Sequence, residues 1–142
     1  MPDVNILIYA HRTDEKHHRF YREWFEKLVA GPQPFALSSL VAVAFVRIVT
    51  HSRFAKNPTP LDQALAVIDS IRATSTCRLL APGERHWPLT ADLCRQSRAI
   101  GKHVGDAQHA AMAIEHGCEW ITRDNDFSIF APAGLTWQPL EP

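Results

Sequence analysis

Gly117-Cys118-Glu119-Trp120-Ile121-Thr122-Arg123-Asp124-Asn125-Asp126-Phe127 is the stretch that decides the class of fold. Gly117 suits the close of a helix, because glycine takes the left-handed backbone conformation without steric cost. Glu119 to Thr122 then reads as a strand, and Asp124 and Asp126 stand just past its end. Upstream, Ala107 to His116 reads as the helix that Gly117 closes, with Asp106 opening it, where the helix dipole favours an ionised carboxylate. Helix, short strand and carboxylates at the strand's end form a unit of an α/β protein, whose functional groups gather along one edge of the sheet.

A third acidic position fits the same scheme. Asp3 precedes Val4 to Tyr9, an apolar, β-prone run expected to be the first strand, with Asn5 on the same strand face as Asp3. Converging carboxylates repel one another and stay ionised together when a cation sits among them. Hard ions that prefer oxygen, Mg²⁺ or Mn²⁺, suit such a set.

The segments between these acids alternate as the same architecture requires. Phe20, Trp24 and Leu28 recur at helical spacing, with Tyr21 and Phe25 beside them, and Gly31-Pro32-Gln33-Pro34 ends that helix. Phe35 to Leu37 reads as a strand, and Ser38 or Ser39 caps a helix from Leu40 to Thr50. That helix is apolar almost all round, which predicts burial on every side and a carboxylate partner for Arg47, its lone charge. Thr59 as cap and Pro60 at the first position open a helix to Arg72, with Leu61, Leu65, Ile68 and Ile71 as its inward stripe. Arg78 to Ala81 is expected as a strand. A helix follows Pro82-Gly83 and reaches Ile100, with Leu89, Leu93 and Ile100 inward, and a last strand runs through Leu135 to Gln138. The expected fold is a single three-layer α/β domain, residues 1–142, with a mainly parallel central sheet flanked by helices.

Composition narrows the function. Fifteen basic and fifteen acidic residues cancel, so no global cationic field announces nucleic acid. Lys27 to Leu61 nevertheless contains no acid, and Lys27, Arg47, His51, Arg53 and Lys56 fall within it; Arg53 and Lys56 are candidate RNA phosphate contacts, although a solvated surface would look the same. Cys77, Cys94 and Cys118 are odd in number and widely spaced, which fits neither a disulfide framework nor a structural zinc site. No leader pattern and no apolar run of membrane-spanning length is evident, so a soluble, cytoplasmic protein is expected.

Taken together, Asp3-Val4-Asn5-Ile6-Leu7-Ile8-Tyr9-Ala10, Phe45-Val46-Arg47-Ile48-Val49-Thr50, Pro82-Gly83-Glu84-Arg85-His86-Trp87, Gly105-Asp106-Ala107-Gln108-His109-Ala110-Ala111 and Thr122-Arg123-Asp124-Asn125-Asp126-Phe127 resemble the PIN-domain family, and within it the VapC-type toxins of bacterial toxin–antitoxin pairs. The resemblance spans nearly the whole chain. It implies a Mg²⁺- or Mn²⁺-dependent endoribonuclease that cleaves structured cellular RNA, tRNA or rRNA, by metal-activated water. It further implies a homodimer restrained by a VapB-type antitoxin. Asp3, Asp106 and Asp124 match the family's catalytic, metal-binding aspartates, and Asp126 matches a frequent fourth carboxylate. Asn5 matches the residue that orients this cluster, and Thr122 and Arg47 match polar residues that support it.

Two departures stand out. The family usually has a Glu where this chain has Ala44, and usually has several strand residues before the first Asp, where only Met1 and Pro2 stand here. Glu115 is about half a helical turn out of phase with Asp106 and is a poor replacement; Glu84, Asp92 and Glu23 are further candidates that no spacing singles out. Three rival readings follow: a catalytically silent PIN module that binds RNA or antitoxin, a histidine ribonuclease drawing on eight His, and a phosphatase with Asp3 as nucleophile, which Asn5 disfavours because an amide cannot serve as acid or base. His109, three residues past Asp106, is expected to be an ordinary surface residue.

Overall fold

In the computed structural model, which describes residues 1–53 and 57–142, the chain enters on a parallel bridge between Pro2 and Ile121. The ladder there runs through Ile121 N–H to Met1 C=O (3.0 Å) and Asp3 N–H to Ile121 C=O (2.8 Å). Pro2 itself needs no N–H in this register, so proline is tolerated at a paired position. Backbone pairing stops at Asp3, and the predicted strand Val4–Tyr9 is instead a helix, α1 (Val4–His11). Asp3 is its N-cap: extended at φ −71°, it turns its carboxylate back to accept the Val4 N–H. A short apolar run is compatible with strand or buried helix, and the cap decides it here.

Helix α2 (His18–Ala30) fully buries Tyr21, while Phe25, Leu28 and Val29 pack on the main core. Phe20 and Trp24 pack instead on a smaller cluster of Ile6, Tyr21 and Leu140. Its solvent side carries exposed Arg19–Glu23 and Arg22–Glu26 pairs. Strand β1 (Phe35–Ser38) leads into α3 (Ser39–Val49), capped by Ser38 Oγ, which accepts from Leu40 N–H at 3.2 Å.

Helix α3 corrects a second expectation. Val41, Phe45 and Val49 form one buried stripe, but Val43 is 70% exposed and Arg47 is exposed beside it. Arg47 therefore stays hydrated, and no carboxylate pairs with it among the described residues. Helix α4 (Leu61–Arg72) buries Ala64, Ile68 and Ile71, whereas Leu61 and Leu65 of the predicted stripe are largely exposed. Its cap position is Pro60 rather than Thr59, whose hydroxyl meets the His11 ring at 3.0 Å.

Strand β2 (Cys77–Leu80) pairs parallel with β1, Phe35 opposite Cys77 and Ser38 opposite Leu80. Helix α5 (His86–Ser97) stops before Ile100 because Arg98 turns left-handed at φ 54°, with Ala99 N–H returning to Cys94 C=O at 2.9 Å. Ile100 is consequently 79% exposed, not inward. Helix α6 (Lys102–Glu115) starts five residues earlier than the sequence suggested, following Gly101 at φ 55°, and buries Ala107, Ala110, Ala111, Met112 and Ala113. Small side chains let this helix lie close to its neighbours. Strand β3 (Trp120–Thr122), a 3₁₀ helix (Asn125–Ala133) and β4 (Trp137–Pro139), parallel to β3, complete the chain. The fold is α/β with every described strand pair parallel, in two two-stranded ladders rather than one continuous sheet. The three cysteines are free, and no helix among the described residues is long and apolar enough to cross a membrane.

Candidate metal centre

Thr122, the last residue of β3, ties the site together. Its fully buried hydroxyl donates to Asp3 Oδ2 at 2.6 Å and accepts from Asn5 Nδ2 and from Asp124 N–H, both at 3.0 Å. Asn5 Nδ2 also donates to Asp3 Oδ2 at 2.8 Å. Asn5 thus reaches Asp3 from the first turn of α1, not across a strand face. The carboxylate of Asp3, 5% exposed, accepts hydrogen bonds from Val4, Asn5 and Thr122. Burial nevertheless dominates and, with the nearby charges of Asp106 and Asp124, pushes its pKa up to about 6.

Asp124 is the cap of the 3₁₀ helix: its Oδ1 accepts from Asp126 N–H at 3.0 Å, leaving both carboxylates at one place on the surface. Burial raises the Asp124 carboxyl, but hydrogen bonds from Lys102 and the Asp126 N–H outweigh it and hold the group below its ordinary value. Asp106 lies in the second turn of α6, not at its opening. It is pushed upward, chiefly by burial and partly by Asp124, while Lys102 and His103 pull the other way. His103, one turn earlier, faces it at 3.3 Å through Nδ1. One donor atom each from His103, Asp106 and Asp126 lies within 4.8 Å of the others.

Four carboxylates from three distant segments lie near one another, Asp3 and Asp106 within electrostatic reach of Asp124, and Asp124 and Asp126 line an open cleft of about 440 Å³ together with Asn5, Tyr9, Arg123 and Asn125. The donor set is dominated by carboxylate oxygen, which suits a hard divalent ion, and His103 adds a hydrogen-bond partner for Asp106. Sequence reasoning missed Lys102 and His103. Lys102 Nζ bridges Asp124 Oδ2 at 2.9 Å and Asp126 Oδ2 at 2.7 Å. Their only signal in the sequence was position, four and three residues before Asp106, on the same helical face once α6 is known to begin at Lys102.

Other candidates lie elsewhere. Arg47 lines an apolar groove with Val43, Val46, Leu65, Ile68 and Arg72. Arg53 is exposed, with its backbone N–H on His51 Nδ1, and Lys56 lies outside the described residues. Ala44 is half-buried on α3. Glu115 accepts the Gly83 and Arg85 N–H groups, both at 2.9 Å, so it clamps the turn before α5. Glu23 and Asp92 pair with Arg19 and Arg95, and Glu84 is exposed. His109, expected on the surface, stacks on Trp120 at 5.5 Å, and burial lowers its pKa to about 4.

A PIN-domain family model matches residues 1–131. The chain is 37% identical over 138 residues to Ribonuclease VapC31 of Mycobacterium tuberculosis, covering 97% of both, and 38% identical over 129 residues to Ribonuclease VapC25 of the same organism, covering 91% of both. Among solved structures, VapBC2 from Rickettsia felis bound to a promoter DNA fragment aligns over 99% of this chain and 98% of that one, with a TM-score of 0.70 and 19% identity. VapC20 from Mycobacterium tuberculosis, a sarcin–ricin loop cleaving toxin, aligns over 99% and 98% with a TM-score of 0.66 and 16% identity. These two share the fold. With a family model covering most of its length and relatives above a third identical end to end, the chain belongs to the PIN-domain family and, within it, to the VapC-type proteins.

Proposed function

We propose that the protein is a Mg²⁺- or Mn²⁺-dependent endoribonuclease, the toxin of a VapBC-type pair, cutting structured RNA such as tRNA or rRNA. The observation that carries this reading is the proximity of Asp3, Asp106, Asp124 and Asp126, the last two lining an open cleft, with Asn5 and Thr122 orienting Asp3. Asp106, Asp124 and Asp126 would hold the ion, and Asp3 would add to the negative charge that attracts it. A divalent ion at such a site screens phosphate charge and acidifies water. The Thr122 hydroxyl fixes the Asp3 carboxylate and the Asp124 backbone together, so that two of the acids move as one unit. Arg123 stacks over the Tyr9 ring at 5.3 Å along the cleft, a cation held where an RNA backbone would run.

The names of the relatives support a ribonuclease, and structures of the same fold solved as VapBC complexes support a VapB-type partner. Homodimer formation is part of the proposal as what the resemblance to VapC-type toxins implies. The geometry speaks against two rivals. Asp3 is too enclosed to act as a phosphatase nucleophile, and Asn5 is engaged as a donor to it. The histidines are dispersed: His18 meets Tyr9 C=O, His86 meets Gln108 C=O and His116 meets Ala81 C=O.

The deciding experiment is cleavage of total RNA by antitoxin-free protein in Mn²⁺, beside an EDTA control and Asp106→Asn. Metal-dependent fragments with 5′-phosphates, absent from the variant, are the expected result. Equal silence of wild type and variant would leave the catalytically silent module, which Ala44 and the Lys102 bridge favour.

A further inference from the structure

Lys102 occupies an unusual position for a cation. It is the first residue of α6, where the exposed N–H groups of the helix disfavour positive charge. Gly101, at φ 55°, sets the turn that starts the helix at this residue. From there the side chain crosses to the 3₁₀ segment, and its ammonium contacts one oxygen of Asp124 and one of Asp126. No other Lys or Arg forms an ion pair with the candidate acids among the described residues. The ammonium thus offers positive charge where the donor set calls for a cation, and it uses oxygens that a divalent ion would use.

We propose that Lys102 is the resident counter-ion of the metal-free site, which a divalent ion must displace from Asp124 and Asp126 in order to bind. This inference rests on the metal-site reading above. It gives Lys102 two opposite effects: it stabilises the metal-free protein by screening mutual carboxylate repulsion, and it weakens metal affinity by competition. A side chain that is 60% exposed can swing out to solvent, so displacement requires no rearrangement of the backbone.

The test is calorimetric titration of the purified protein with MnCl₂, for wild type, Lys102→Met, Lys102→Arg and Asp106→Asn, alongside thermal melts in EDTA and in saturating Mn²⁺. Lys102→Met is expected to bind Mn²⁺ on the order of fivefold more tightly, the scale of one lost ion-pair competitor. It should melt below wild type in EDTA, and the gap should close in Mn²⁺. Lys102→Arg keeps the charge and should stay near wild type in both measurements. Wild-type binding with unchanged or weaker affinity in Lys102→Met overturns the displacement proposal and leaves the metal site standing. A Lys102→Met deficit that persists in Mn²⁺ reduces Lys102 to an ordinary surface pair and also overturns it. No Mn²⁺ binding by wild type removes the metal-site reading itself, and the displacement with it.

Discussion

Replacing Asp3 by Asn is expected to make the metal-free protein more stable while weakening its response to metal. The unfolded carboxyl titrates near 3.8 and the folded one near 6. A carboxyl raised on folding contributes stability that is fully present below 3.8 and lost as pH rises through 6. At about 1.4 kcal/mol per tenfold change in proton affinity, keeping Asp3 ionised costs about 3 kcal/mol above pH 6. An amide removes that cost but has one oxygen rather than two. It can keep the cap to Val4 or the acceptor role toward Thr122 and Asn5, not both, which returns about 1–2 kcal/mol. The net expectation for Asp3→Asn is a gain of about 1–2 kcal/mol well above pH 6, shrinking as pH falls and reversing in sign below pH about 4. Urea titrations of both proteins in EDTA across this range measure the difference directly. The His109 contribution cancels between them, because both proteins carry it. In Mn²⁺ the variant's advantage should shrink, since the protein that binds the ion more tightly is stabilised more. A difference that does not vary with pH, or a variant that is weaker at high pH than at low, would refute the idea that burial holds Asp3 in an unfavourable charge state.

Other outcomes follow from the packing and the clamps. His109, whose pKa is lowered to about 4, stabilises the fold above its unfolded value of 6.5 and loses that contribution as pH falls toward 4; His109→Phe should flatten this part of the acid-unfolding curve, measured in an Asp3→Asn background to remove the opposing trend. Tyr21→Phe removes a buried hydroxyl that donates to Leu140 C=O at 3.2 Å, and should cost about 1 kcal/mol in chemical denaturation with little change in RNA cleavage. Phe45→Ala empties a fully buried position on α3 and should cost about 3–5 kcal/mol, enough to make expression at moderate temperature the first casualty. Glu115→Ala frees two backbone N–H groups ahead of α5, and should lower the melting temperature without weakening Mn²⁺ binding, which separates this acid from the four at the cleft.

Much of this protein was legible in its sequence because the relevant physics is local. Ser38 and Gly117 mark helix ends by what their own atoms or backbone can do, and the structure uses Ser38 as a cap and Gly117 at φ 62° after α6. The short strands β1, β2 and β3 fall within a residue or so of the expected stretches, since each is bounded by turn-forming residues. Asp3 and Asp124 do stand at element ends, each as a cap, whereas Asp106 sits a turn inside α6, where the alternation of elements did not put it. Tertiary structure decided the rest. Val4–His11 is helical because the pairing of Met1–Asp3 with Ile121 ends at a capping aspartate, and neither half of that contact is visible without the other. Leu61, Leu65, Val43 and Ile100 are apolar yet exposed, because periodicity shows that a helix has an apolar side and not how much of it the neighbours cover. Lys102 meets Asp124 and Asp126 across 22 and 24 positions of chain, and a charge paired at that separation leaves no periodic trace. Places at the edges of apolar runs, and the motifs around them, singled out the acids; only the packing of α6 against the 3₁₀ segment decided which cation meets two of them.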